Sequence, residues 1–585
     1  MTPGLHVLAP ESFEELLGGT GGPATVSALR ASERSWRLLV LRALLDACAD
    51  APTGPLPPPA DAWRLLTRAR AAAEDVVEEL LAYPAVGVWA AHTLRRLRGT
   101  ADGDAPLWAE LGHLHALAAS AAIGAGLDFR AAVPVRHGWA VLPGLGAMRV
   151  AGAADTAEVS AVASRVLVAG RPLDGPDWHA LTRLDADGCA LLLDDTDPYR
   201  TLRGPVPAEP VAADVWQDLF TEAWEILRGL DAEDARALAG GLVTLVPRPR
   251  AERFRPHSAS SGDAFGAALA SVPDDGEQLA STLVHEFQHN KLSAFMHLFT
   301  LYEDQGADRR LHYAPWRDDP RPLGGLLQGV YAFYGVTGFW RRRTHPLGRF
   351  EFALWRAQTA HALHAIAPSD GLTDLGRRLV AGLTARLEPW LAEPVPEPAL
   401  AAAELAVADH RATWRAYHLR PDPGVVVREC AGVREKGRAG SVPEALRVSA
   451  PGPAASEYRP ALVPGSPARG FDTRAVLLRW LLADPAGFDA LRADPGAAVS
   501  GARAEDVALV TGDTAGALRA FRERILSGGG DPETWVGLGL AARAAGDPAG
   551  EAVLARPELV MAVHAELGAE ADPLETARGL VSRPA

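Results

Sequence analysis

The sequence predicts an α+β fold, mostly helical, in which a small sheet accompanies a metal-type helix and a helical-repeat region follows. Three observations predict it. Apolar residues recur at helical spacing in SERSWRLLVLRALLDACA (32–49) and, after a Pro-rich break, in PPPADAWRLLTRARAAAEDVVEELLA (57–82). Short apolar runs bounded by Gly, Pro and Asp suit strands: VPVRHGWAVLPGLGAMRV (133–150), ALLLDD (190–195) and GLVTLVPRP (241–249). Third, His285-Glu286-Phe287-Gln288-His289 sets two histidines four residues apart inside an apolar helical pattern.

The elements follow in order. An amphipathic helix, VWQDLFTEAWEILRGL (215–230), interrupts the strands, and AFGAALAS (264–271) is a further strand candidate. Asp275 with Gln278 three residues on makes a helix cap; the helix from Glu277 is expected to run to Asp304, with Gly306 as its stop (277–304). A Pro-stiffened loop, LHYAPWRDDPRP (311–322), leads to a second helix, 323–342, and more helix is expected over 350–367 and 371–391. After about residue 425 the chain loosens, and 439–470 is rich in Pro, Gly and Ser. The tail is helical again: GDTAG (512–516) recurs as GDPAG (546–550), and Trp535 with Leu538-Gly539 fits the start of a tetratricopeptide-type helix, two ordinary Gly-Asp turns being the plainer alternative. The expected organisation is a helical region 1–105, an α+β metal-binding region 106–425, a linker 426–470 and a tetratricopeptide-like region 471–585.

With 48% hydrophobic and 22% charged residues, the composition is globular. A net charge of −15 without a long basic stretch argues against nucleic acid or an anionic membrane as partner. Cys48, Cys189 and Cys430 lie far apart with no CxxC, so neither a disulfide scaffold nor a zinc ribbon is indicated. The first residues lack the basic-then-apolar order of an export signal and no apolar stretch is long enough to span a membrane, so a cytoplasmic location is expected. Lysine occurs only as Lys291 and Lys436.

HExxH is expected by chance on the order of 0.03 times in such a chain, so it carries weight. On a helix, residues four apart project from one face, and both imidazoles reach one ion. Glu286 is turned by about 100° and serves a metal-bound water or a neighbouring ligand rather than the same ion. An HExxH helix beside a small sheet is a zincin-like core. The metzincin extension is absent, because Leu292 and Phe295 stand where Gly and His would be required. A third ligand from the following helix points to Gln328, set in the apolar run Leu326-Leu327-Gln328-Gly329-Val330, either as ligand, as direct partner of a ligand, or in a structural hydrogen bond. Glu303, His297, His312 and His345 compete. A zinc hydrolase would use Glu286 as base. An iron oxygenase would need open positions for a keto acid and dioxygen, and a cation to clamp the acid's far carboxylate: Arg317, Arg321 or Lys291. Spacing alone favours the zinc hydrolase.

LVHEFQHNKL, followed by YAPWRDDPRPLGGLLQGVYAF and FW, resembles the HExxH-motif peptide-modification proteins encoded with ribosomally made, post-translationally modified peptides, often beside radical-SAM maturases. The likeness is strongest over about 255–345 and weaker at SERSWRLLVLRALLDA, TGPLPPPADAW, HSASSGDAFGAALAS and the tail. It implies a 2-oxoglutarate-dependent, non-haem iron peptide β-hydroxylase, using Fe(II), 2-oxoglutarate and dioxygen on a precursor peptide that the C-terminal region helps to hold. His285 and His289 would bind iron, Glu286 would complete the signature, and Lys291 would occupy the HNKL position. Tyr313 joins Arg317, Arg321 and Lys291 as expected cosubstrate contacts, and His257, Ser260 and Ser261 are expected substrate contacts. The alternative is an HExxH zinc peptidase that cleaves the leader or precursor peptide. A peptide-carrying scaffold with a structural metal is a non-enzymatic third reading.

Overall fold

The computed structural model describes residues 6–48, 51–201, 204–303, 310–438, 458–463 and 470–581, and over them the chain is α+β and mostly helical. The first long helix, Pro23–Ala47, begins about two and a half turns before the expected 32, because Thr25, Val26 and Leu29 extend its buried face and Pro23 sits at its first turn. The expected helix 57–82 divides into Pro59–Ala72 and Glu74–Leu81 at Ala73, whose backbone (φ −150, ψ 84) is extended. The break lets Leu65, Leu66, Ala69, Val77 and Leu81 all enter one core with Val133 and Val159 of the first sheet.

That sheet has seven antiparallel strands and uses the first predicted strand run three times, as Phe129–Arg136, Trp139–Leu142 and Gly146–Arg149. His137 and Gly138, both at positive φ (51 and 79), form the two-residue turn that joins the first pair. The second sheet has five strands in the order Ser258–Ala259, Ala267–Ser271, Thr244–Arg248, Cys189–Leu193, Thr182–Ala186. Its inner three strands are parallel and both edges antiparallel. The helices Asp214–Leu230 and Gly276–Leu298 cover it, placing Phe220, Trp224, Leu279, Leu283 and Phe287 in one core with Leu245, Ala268 and Ala270.

Gly276–Leu298 is the metal-type helix. Asp275 caps it by accepting from the Gln278 backbone N–H at 2.8 Å. It ends at Leu298 rather than Asp304. Leu301 and Glu303 instead pair with the segment before the next helix but two, the Glu303 N–H donating to the Gly371 carbonyl (2.9 Å) and the Thr373 N–H to that of Leu301 (3.1 Å). Long-range pairing thus overrides local helix propensity, and the expected Gly306 stop lies outside the described residues. The facing helix, Leu323–Arg341, agrees with expectation. Gly329 on it has no room for a side chain, since a Cβ would stand 2.0 Å from the Trp316 ring, so the 311–322 loop lies directly on this helix.

The expected loosening after 425 is a helix, Pro423–Arg438. Most of 439–470 lies outside the described residues, although Ala461–Leu462 pairs with Leu419–Arg420. From Thr473 to Gly579 the described chain is helical, with Gly512 and Gly546 at φ +83 and +74 in the two repeated turns. The helices after those turns differ in length, Thr514–Leu526 against Ala549–Ala555. Among the described residues no helix is long and apolar enough to cross a membrane.

Candidate metal centre

Between Leu279 and Phe295 the metal helix is buried except at Ser281, Val284, His285, His289 and Ser293. These positions, three or four apart, form one open stripe along an otherwise enclosed helix. On it the Nε2 atoms of His285 and His289 lie 3.1 Å apart, with ring planes at 82°. His289 Nδ1 is 2.9 Å from Gln328 Oε1, and the other end of that amide donates to Ser293 Oγ at 3.2 Å. The carbonyl end therefore faces His289, which must carry its proton on Nδ1 and present a bare Nε2. Gln328 stands behind the imidazole, on the side away from the converging nitrogens. Of the roles expected for it, this contact matches that of a direct partner of His289. His285 packs edge-on against Phe333 (4.9 Å), and burial, then the neighbouring His289, hold its pKa well below the usual histidine range, so it too is neutral.

Glu286 is fully buried and neither carboxylate oxygen has a hydrogen-bond partner. Its Oε1 lies 3.9 Å from His285 Nε2. Burial raises its pKa, opposed by His289 and by two nearby hydroxyls that do not reach hydrogen-bonding geometry, Ser258 on the edge strand Ser258–Ala259 and Ser260 just after it. A buried carboxyl without a hydrogen-bond partner, beside two imidazoles whose Nε2 atoms converge, is the arrangement a metal ion with a bound water or small oxygen ligand would satisfy. The donor set therefore fits one transition-metal ion, Fe(II) or Zn, held by His285 and His289. Among the described residues no third His, Cys, Asp or Glu joins them.

The expected cosubstrate residues are engaged with other partners. Arg317 and Arg321 converge on Asp319, at 2.8 and 3.3 Å. Lys291 is two residues from His289, about 200° round the helix, and so faces the side opposite that imidazole. There its amine lies over the Phe287 ring (5.1 Å) and its stem against Gly21, with burial lowering its pKa to about 8 against the pull of Asp234 and Glu15. Tyr313 is engaged elsewhere, its hydroxyl 2.9 Å from His410 Nδ1 and its ring against Trp414. Of the expected substrate contacts, Ser260 lies beside Glu286, His257 is exposed, and Ser261 accepts from the Asp263 N–H (3.3 Å) to cap a short turn. The rival ligands are also placed. His297 pairs with Glu33 (2.7 Å), His345 with Glu277 (3.0 Å), while Glu303 and His312 line a separate cavity of about 190 Å³.

Sequence reasoning missed Ser258, Ser293 and the aromatic wall beside His285. In that wall Trp316 stacks on Phe333 (4.8 Å) and Phe333 on Trp355 (4.4 Å). Ser293 was within reach of the same helical arithmetic, being four residues past His289. No protein-family model matches the chain, and no curated protein matches it.

Proposed function

We propose that this chain is a metal-dependent enzyme acting on an extended peptide, and that its reaction is β-hydroxylation of a ribosomally made precursor using Fe(II), 2-oxoglutarate and dioxygen. The observation that carries the metalloenzyme reading is the convergence of two imidazole Nε2 atoms at 3.1 Å on an open stripe, with Gln328 holding the Nδ1 proton of His289. The peptide and the choice of iron rest on the likeness around LVHEFQHNKL. Bound iron would supply the coupling of dioxygen reduction to decarboxylation of 2-oxoglutarate, giving succinate, carbon dioxide and a hydroxylated residue. Two protein nitrogens leave the positions that a chelating keto acid and dioxygen require.

The chain's own contributions are positional. His285 and His289 hold the ion, and Gln328 orients His289. Glu286, with Ser258 and Ser260 beside it, orients a polar ligand or water at the ion. Phe333, Trp316 and Trp355 keep one side of the site dry. Ser258–Ala259 is an edge strand of its sheet, and an extended peptide adding to it would lie beside Glu286. An antiparallel edge above a metal helix also supports the zincin-like reading of the core. The C-terminal helices, read as tetratricopeptide-like, would hold the remainder of the precursor. Three free, buried cysteines suit the cytoplasm we assign.

One observation favours a second reading. The buried carboxyl of Glu286 stands where a zinc peptidase needs its base. Incubation of the full chain with Fe(II), 2-oxoglutarate, air and a precursor peptide separates the two. We expect a product heavier by one oxygen atom drawn from dioxygen, with succinate released one for one. Two peptide fragments formed without oxygen, by the zinc-loaded chain, would establish the peptidase instead.

A further inference from the structure

The two histidines of the pair are held in different ways. His289 has the Gln328 amide 2.9 Å from its Nδ1. Among the described residues nothing hydrogen-bonds to Nδ1 of His285, and its ring is set instead by packing on Phe333, with centroids 4.9 Å apart and planes at 69°. Phe333 is the middle ring of three. Trp316 and Trp355 both stack on it, at 4.8 and 4.4 Å, so they take its opposite faces and leave only its edge for His285.

Trp316 is fixed by the loop that lies on Gly329, and Trp355 by a part of the chain far away in sequence. The Trp355 indole N–H donates to Glu351 Oε2 at 2.7 Å. Glu351 is in turn gripped by Arg479 of the helix Thr473–Ala483, with Nε 2.5 Å from Oε1 and Nη2 3.2 Å from Oε2. The Glu351 and Arg479 side chains are 6% and 11% exposed, so the carboxylate stays ionised in place only because both its oxygens are paired. Trp355 is half-buried, and this tether is what keeps its ring from turning off Phe333.

We propose that Arg479 is a positioning residue of the metal centre: it holds Glu351, Glu351 orients the Trp355 indole, and the indole clamps Phe333 against the His285 ring. The inference rests on the metal reading above. The ring torsion of a histidine is soft, so a ligand without a hydrogen bond on its far nitrogen takes its orientation from what it packs against. The helices after residue 470 are then part of the frame of the centre, in addition to any hold they have on the precursor.

The test titrates Co(II) into the metal-free full chain and reads the affinity together with the hyperfine-shifted ring-proton resonances of the coordinated imidazoles. Removing one member of a buried ion pair strands the other, so the variants remove both charges. Glu351→Gln with Arg479→Met keeps an acceptor for Trp355, whereas Glu351→Leu with Arg479→Met removes it. We expect the Gln/Met variant to match the native chain. The Leu/Met variant should bind Co(II) roughly tenfold more weakly, with the resonances of one imidazole displaced and those of the other, marked by the Nδ1 proton that Gln328 holds, unchanged. Trp355→Phe leaves the ion pair whole and should behave as the Leu/Met variant does, which keeps the test decisive if a double variant fails to fold. Native affinity and resonances in the Leu/Met variant or in Trp355→Phe overturn the role of the indole, and equal disturbance in both double variants overturns the route through Trp355, the metal centre standing in each case. Failure of the native chain to bind Co(II) overturns the metal reading and the inference with it.

Discussion

Two clusters of histidines beside buried carboxyl groups differ in what the groups face. On the metal helix, two imidazole nitrogens converge at 3.1 Å on an open stripe. Near the seven-stranded sheet, His113 Nε2 faces Asp197 Oδ2 at 3.9 Å and His92 Nε2 faces Glu110 Oε2 at 3.6 Å, with the Tyr199 ring between the two couples. All four of these facing atoms are buried without a hydrogen-bond partner. Burial drives His113 down to about 3 and Asp197 well above the carboxylate range, so that couple sets a neutral imidazole against an acid held from ionising, while Arg96 pairs with the Glu110 carboxylate at 2.6 Å. Burial alone therefore does not make a reactive site. What separates the two is convergence on space that a ligand can enter, with a third group fixing the proton.

The largest expected effect tests that distinction directly. His285→Ala or His289→Ala should abolish stoichiometric metal binding, measured by titration of the metal-free chain, whereas His113→Gln should leave the stoichiometry at one ion. Full iron occupancy in either of the first two variants would mean that the pair is not the centre. Next in size is Gln328→Leu, which removes the group fixing His289. Metal affinity should fall roughly 10- to 100-fold with the stoichiometry kept. Complete loss of metal would make Gln328 a ligand, and unchanged affinity would make it structural.

The two clusters also show what a sequence discloses. The histidine pair was legible because helix geometry converts a spacing of four into proximity without knowledge of the fold. The strand over Ala267–Ser271 and the helix Leu323–Arg341 were legible for the same local reason. Gln328 was legible as a polar residue needing a partner, though not which partner. The second cluster was invisible, since His92, Glu110, His113 and Asp197 meet only through tertiary packing. The contacts of Lys291 and Tyr313 were hidden for a related reason. Nearness in sequence to the motif says nothing of helix face, and Tyr313 is claimed by His410 on a helix nearly a hundred residues later.

A third prediction sharpens the comparison through pH. The folded-state pKa of His113, about 3, lies below the unfolded value near 6.5. As pH falls from about 6.5 towards 3 the unfolded chain takes up a proton that the folded chain refuses, so stability is lost over that window. His113→Gln removes this contribution. Relative to the variant, the native chain should lose up to about 4 kcal/mol between neutral pH and pH 3. Denaturant unfolding of both chains across that range checks it, and parallel pH profiles would show that His113 is not held neutral by burial.

The smallest expected effect concerns the loop that the sequence nominated for the cosubstrate. Arg317 pairs with Asp319, the two side chains being 48% and 46% exposed, and Arg321 reaches the same carboxylate at 3.3 Å. An exposed pair whose acid keeps a second partner contributes little, so Arg317→Ala should change stability by less than about 0.5 kcal/mol. Its effect on the apparent KM for 2-oxoglutarate should be equally small. The reason lies in how the loop is held. Trp316 lies on Gly329, Tyr313 is bonded to His410, and Asp318 is gripped twice, its carbonyl by His418 Nε2 at 2.7 Å and its Oδ1 by the Phe471 N–H at 3.3 Å. Swinging Arg317 towards His285 would break several of these contacts for one carboxylate pairing. Steady-state kinetics with 2-oxoglutarate varied at fixed peptide would decide the matter. A tenfold rise in KM with kcat kept would show that the loop does close over the site, and would return Arg317 to the role its sequence context suggested.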